Sequence, residues 1–176
     1  MKKLLTSLLI IISFTLKAQH HDSNEEHHKR FKFSWAMSQS FIPEFVSEDK
    51  TITAQFIPTN GLELEYAISK SIYLKWINEI EFLAYSVIDE SGQEAKRENA
   101  FLTALLLGYK INPNIGIYGG FGHEFEKHRN LLVYRIGAEY IFDIGKDWAL
   151  APSIMYDIKK ESHTAFTFSI VIGKHF

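Results

Sequence analysis

The 176-residue chain contains no cysteine. That absence excludes a disulfide framework, a thiolate metal site, a catalytic thiol and a cysteine-linked lipid anchor. An excess of charge of one sign is also lacking: 19 Lys and Arg stand against 21 Asp and Glu, so no global basic field draws the chain to nucleic acid. Beyond Leu16 no uninterrupted apolar run approaches the roughly twenty residues that a spanning helix needs. A chain that crosses a bilayer without such a helix has one other option, a closed sheet that satisfies its backbone groups internally.

What is present begins with an export signal. Lys2 and Lys3 form a positive n-region, Leu4 to Leu16 is an apolar run broken only by Ser and Thr, and Lys17-Ala18-Gln19 is a cleavage region. Residues 1–19 are therefore read as a signal peptide, 20–30 as a His-rich, polar periplasmic segment and 31–176 as a single domain. Aromatic residues make up 14% of the chain, yet its mean hydropathy is slightly negative. That combination suits strands in which apolar and polar residues alternate, as a lipid-facing barrel with a polar lumen requires.

The alternation is clearest at the C-terminus, where Phe166, Phe168, Ile170, Ile172 and Phe176 share one face and Thr167, Ser169, Gly173 and His175 the other. It recurs in Phe31, Phe33, Trp35, Met37 and Phe41. Further strands are predicted near 61–68, with a start near Thr53, and at 72–85, 100–111, 115–125, 131–142 and 148–158. The fold class is thus all-β: a transmembrane, antiparallel, up-and-down β-barrel of about eight strands with a polar, filled interior. Phe101 to Tyr109 is apolar on both faces through Leu102, Leu105, Leu106 and Leu107, which leaves a short helix as the competing reading there.

Ser69-Lys70-Ser71, Asn112-Pro113-Asn114 and Asp143 to Asp147 read as tight turns, whereas 44–52 and 87–98 are longer and charged. One rim is trimmed and the other decorated, which makes the first periplasmic and the second extracellular. Tyr66, Tyr109, Tyr140, Trp148 and Phe176 form a predicted ring at the periplasmic interface, and Phe41, Phe82, Phe101, Phe125 and Phe166 one at the opposite interface. The alternative is a soluble β domain with these aromatics in its core.

If the apolar stripes face lipid, the other stripes place Glu63, Glu65, Lys75, Glu79, Glu81, Glu124, Arg135, Glu139 and Asp157 inside. A soluble barrel would invert this arrangement, and burying so many unpaired carboxylates would cost several kcal/mol each. Glu65 and Lys75 are equidistant from Lys70 and are expected to face each other as an inward ion pair. Counting Lys110, interior acids outnumber bases, so one or more carboxylates are expected to be protonated, hydrated or bound to a cation. Small inward residues such as Gly120, Gly122 and Ser169 leave room for the long ones. Side chains fill a barrel of this size, so an open diffusion pore is not expected.

The terminal strand from Ala165 to Phe176, with its final aromatic, and the Leu64-Glu65-Tyr66, Leu107-Gly108-Tyr109 and Ala138-Glu139-Tyr140 strand ends resemble those of the small OmpA/OmpX-type outer-membrane β-barrels over about Phe31 to Phe176. The Lys17-Ala18-Gln19 ending is similar to signals common in Bacteroidota. The resemblance implies an outer-membrane location, contact with outer-membrane lipid, and a C-terminal strand read by the barrel assembly machinery through Phe166, Phe168, Ile170, Ile172 and Phe176. It implies no molecular function, because this fold hosts adhesins, enzymes and structural anchors.

Little in the sequence points to site chemistry. His20, His21, His27 and His28, with acids between them, could hold a divalent metal such as zinc, copper or nickel, but a solvated tail is the competing reading. No cofactor is expected. His163 near Ser162 and Glu161, and His123 beside Glu124, are the only clusters suggestive of acid–base chemistry, and no catalytic residue is assigned. Gly116, Gly119, Gly120 and Gly122 lie in a strand rather than in a phosphate-binding turn. The expected function is structural or binding, exerted on an extracellular ligand through loops 44–52 and 87–98 by a monomer. A lipid-modifying hydrolase and a narrow ion conduit are the alternatives.

Overall fold

A computed structural model describes residues 29–46, 51–89, 91–127 and 129–176. Residues 1–19, read above as a signal peptide, and His20, His21, His27 and His28 lie outside the described residues, as does the centre of the 44–52 connection. The strands are β1 (Phe31–Val46), β2 (Ile52–Ala67), β3 (Ile72–Glu81), β4 (Ala84–Ile88), β5 (Glu94–Glu98), β6 (Phe101–Asn112), β7 (Ile115–Phe125), β8 (Leu131–Tyr140), β9 (Phe142–Gly145), β10 (Trp148–Lys159) and β11 (Thr164–His175).

Eight of them are staves, in the order β1-β2-β3-β6-β7-β8-β10-β11, and β11 returns to pair with β1 from Lys32↔His175 to Phe41↔Phe166. Every pairing is antiparallel, and closure removes the exposed sheet edges. The trimmed-rim turns have local chemistry that fixes them. Asn112 Oδ1 accepts from the backbone N–H groups of Asn114 (2.8 Å) and Ile115 (2.9 Å), and Ser69 Oγ accepts from that of Ile72 (3.0 Å). Gly145, Lys146 and Asp147 turn with φ of 84°, 52° and 70°, while Asp143 Oδ1 accepts from Gly145 N–H.

The alternation decides which face is which. Trp35, Trp76, Phe121 and Ile136 point outward with 48%, 49%, 61% and 62% of their surface exposed, whereas Lys75, Glu124 and Arg135 are almost wholly buried. In water so continuous an apolar exterior would be an aggregation surface. Against hydrocarbon it is the favourable arrangement, and the barrel is a membrane-spanning one.

Two expectations need correction. The stretch 72–85 is not one strand: it breaks at Phe82-Leu83 into β3 and β4, and the charged connection at 87–98 folds back as β5 against β4 (Ala84↔Glu98 to Ile88↔Glu94). The Asp143 to Asp147 turn is shorter than expected, because β9 pairs with β10 up to Gly145. Phe101 to Tyr109 is strand, as read, and the competing helix does not form there. Its second apolar face, Leu102, Ala104 and Leu106, points inward, where Ala104 and Leu106 pack with Ile77, Tyr118 and Met155 as an apolar layer of the lumen.

Candidate functional site

Inside the barrel, cations and carboxylates from different staves meet in three tiers. In the tier nearest the periplasm, Lys32 of β1 reaches Glu65 of β2 at 2.7 Å, and Lys110 approaches the same carboxylate at 3.7 Å. Lys75 of β3 crosses to Glu139 of β8 at 2.6 Å and reaches Glu63 at 3.4 Å. The Tyr73 hydroxyl donates to Glu139 (3.0 Å), and the Lys75 ammonium lies 4.5 Å from the centre of the Tyr118 ring.

The middle tier is Arg135 of β8. Its Nε and Nη2 donate to the two oxygens of Asp157 at 2.6 and 2.7 Å, and its Nη1 lies 2.7 Å from Glu79. In the upper tier Lys159 bridges Glu81 (3.1 Å) and Glu124 (2.7 Å). Arg97, on β5, pairs with Glu124 and lies 3.4 Å from Glu126.

All nine residues expected in the interior are buried there: Glu63, Glu65, Lys75, Glu79, Glu81, Glu124, Arg135, Glu139 and Asp157. Glu65 and Lys75 are opposite in register but do not form the expected ion pair, because Glu65 takes Lys32, its register neighbour on β1, and Lys75 leans across the narrow lumen to Glu139. Lys32, Lys159 and Arg97 were missed. The first two continue the inward stripes of β1 and β10 and were legible as such. Arg97 lies in a segment read as loop, so no periodicity marked it. With these three, the buried set among the described residues holds seven carboxylates and five cations.

The extracellular mouth is covered. Near their tops β1 and β11 part, and β4 takes the place of β11 beside β1, with Phe45↔Val87 and Val46↔Ser86 paired. The β4–β5 hairpin thus leaves the β3 wall, crosses the opening and docks on the far side. Tyr85 and Val87 pack beneath it with Ile42, Ile57 and Ala165, and the Tyr85 hydroxyl donates to Glu81 (2.7 Å). Arg97 anchors its second strand to the upper charge tier.

Above this lid, Arg129 joins three connections. Its Nη2 donates to the Glu161 carboxylate at 2.8 Å and its Nη1 to the Glu161 carbonyl at 3.3 Å, and it lies 4.0 Å from Asp89. A hydrogen bond from the Ser91 hydroxyl, reinforced by the backbone N–H of Gln93, holds the Asp89 carboxyl below its ordinary pKa.

Neither suggestive histidine cluster is a catalytic arrangement. The His163 ring shares a 2.9 Å hydrogen bond with the Ser162 hydroxyl through Nδ1, and both are buried beneath the rim, but among the described residues no acid orients the ring and its Nε2 has no partner. Glu161 is engaged by Arg129 instead. Burial, with Lys159 and Arg97 nearby, pushes the His163 pKa down to about 2. His123 and Glu124 are on opposite faces of β7: His123 is exposed on the outside, its ring 6.1 Å from that of Phe125, and Glu124 is in the lumen. Among the described residues no three ligating side chains form a metal site.

Of the residues expected to guide assembly, Phe166, Phe168 and Ile170 are exposed on the outer wall and Ile172 is half-buried there. Phe176 is exposed, and its backbone exchanges hydrogen bonds with Phe31 at 2.8 and 3.4 Å.

No protein-family model and no curated protein sequence matches the chain. Solved structures do. The attachment invasion locus protein Ail of Yersinia pestis, solved with the heparin analogue sucrose octasulfate, superposes with a TM-score of 0.55 at 14% identity, over 84% of this chain and 98% of that one. The N-terminal β-barrel domain of Pseudomonas aeruginosa OprF gives 0.55 at 11% identity, over 82% and 97%. Neisserial surface protein A gives 0.56 at 5% identity, over 83% and 97%. The chain has the fold of the small outer-membrane β-barrels, a closed ring of eight antiparallel staves with an apolar outside and a charged, packed inside.

Proposed function

We propose that this protein is exported by the 1–19 signal and sits in the outer membrane as a plugged barrel whose extracellular connections bind a partner. It is not a general porin. The observation that carries this reading is Arg129, which ties the β4–β5 turn, the β7–β8 connection and the β10–β11 turn into one surface. A surface held in one arrangement before binding loses less conformational entropy on contact. Below it, a docked hairpin and a lumen filled by Arg97, Lys159 and Arg135 leave no role in bulk diffusion. Ail was solved with a heparin analogue; here Lys127 pairs with Glu98 and Lys160 with Glu161, so shape and mixed charge would select the partner rather than a basic field.

Two measurements test the proposal. Proteoliposomes carrying the protein should swell in arabinose no faster than empty ones, and bacteria displaying it should adhere to epithelial monolayers in a manner lost when residues 89–93 are replaced by Gly-Ser. Porin-like swelling, or adhesion no greater than that of the empty-vector strain, would sink this reading.

A further inference from the structure

Between its rims the outer wall is apolar except at Gln39, at Asn60 and along one row of three polar residues. Asn78 of β3, Thr103 of β6 and His123 of β7 are direct neighbours in register, Asn78↔Thr103 and Thr103↔His123, and all three are on the outward face. Trp76, Leu105 and Phe121 lie on the periplasmic side of this row, and Ile80, Phe101 and Phe125 on the extracellular side. Along β6, Thr103 is eight residues from Ile111 at the periplasmic end of the apolar band. At ~3.4 Å per residue and a tilt of ~40°, that is a height of roughly 20 Å in a band about 25 Å tall. The row therefore lies inside the hydrocarbon, about 5 Å below the upper aromatic ring.

Polar groups facing hydrocarbon without partners are costly, and these three are largely unpartnered. Thr103 Oγ1 accepts from Trp76 Nε1 at 2.9 Å, which leaves its own proton free to donate outward. Neither the Asn78 amide nor the His123 ring makes a side-chain hydrogen bond among the described residues. An amide, a hydroxyl and an imidazole N–H thus form a line of donors about 5 Å below the interface, where the acyl carbonyls of outer-leaflet lipid are the nearest acceptors.

A second feature lies beneath the row. On β7 the outward position two steps below His123 is Gly119, opposite Leu107 and Ile136, and the next row holds Ala138 between Ile117 and Ile154. These two small residues form the floor of an apolar groove of about 720 Å³ on the outer wall.

We infer that the Asn78–Thr103–His123 row and this groove together form a binding site for one acylated membrane lipid, its carbonyls accepting from the row and a chain seated over Gly119 and Ala138. The site goes beyond the extracellular binding role and does not depend on it.

The full mature chain is folded in detergent and incubated with dimyristoylphosphatidylethanolamine or its ditetradecyl ether analogue, which keeps headgroup and chains but lacks the carbonyls. Native mass spectrometry then counts retained lipid. The wild type should retain the ester lipid about tenfold better than the ether. Thr103→Val with His123→Phe should abolish that preference, and Gly119→Phe should reduce retention of both lipids. Heat-modifiable migration checks that each variant has folded. Equal retention of ester and ether by the wild type would overturn the site without reference to any variant. Ester retention unchanged in the Asn78→Leu, Thr103→Val, His123→Phe triple variant would overturn it too, as would release of free myristate in place of a one-to-one complex.

Discussion

Arg135 is the largest fully buried side chain among the described residues, and its cost and its value come from the same atoms. Removing its charge while Asp157 and Glu79 remain leaves two buried carboxylates unmatched, and Arg135→Met is expected to lower unfolding stability by about 3–5 kcal/mol. Urea titration in detergent micelles measures this. Adding Asp157→Leu and Glu79→Leu should restore most of the loss, since an apolar replacement of a buried ionic cluster is often neutral. His163 sets an acid limit. Its folded pKa of about 2 lies far below the ordinary 6.5, so below pH 6.5 the unfolded chain takes up a proton that the folded one refuses. The stability His163 permits is complete above that pH and falls as the pH drops through it, by about 2 kcal/mol at pH 5. His163→Asn should flatten the stability profile between pH 6.5 and 5, and an unchanged slope would place the acid sensitivity elsewhere. At this scale the sequence was a good guide to burial and a poor one to partners. Alternation placed Glu65 and Lys75 on the inward face and opposite each other, but Glu65 takes Lys32 on its other flank while Lys75 reaches across the lumen to Glu139, and no linear pattern encodes that choice.

Among the elements, two inward tyrosines cover glycines on the neighbouring stave: Tyr73 lies over Gly108 and Tyr118 over Gly137. A Cβ at Gly108 would fall within the Tyr73 ring, so Gly108→Val should displace that ring from Glu139. A destabilisation of about 1–3 kcal/mol is expected, together with a shift of the Tyr73 ring signals in NMR. The β4–β5 hairpin is the element that strand periodicity concealed. Glu94, Lys96 and Glu98 gave that segment the look of a solvated loop, yet Arg97 points into the barrel while its neighbours point out. Arg97→Gln should weaken the anchor, and trypsin should then cut at Lys96 severalfold faster in intact proteoliposomes; an unchanged rate would mean that Tyr85 and Val87 suffice to hold the lid. The eight staves were legible because lipid outside and charge inside enforce a period of two. Where the chain leaves the bilayer, that constraint ends and so does the legibility.

For the whole molecule, closure of the ring is the property to test. Unboiled protein should migrate faster than boiled protein on electrophoresis, and removal of Phe176, which pairs with Phe31 across the join, should reduce the fast form recovered from outer membranes. The join itself has a particular composition. β1 and β11 meet inside the barrel through Ser38 with Ser169 (2.9 Å) and Ser40 with Thr167 (2.8 Å), while the charges of the middle and upper tiers come from the other staves and from β5. These contacts link residues 131 and 127 apart in sequence, so they form late on any folding route. A small hydroxyl gives up its water cheaply, whereas an ammonium or a carboxylate does not. The barrel can therefore close along its hydroxyl-lined join without waiting for most of the ionic tiers to be dry, and in the middle and upper tiers the cost of dehydrating charge is separated in time from the step that makes the ring.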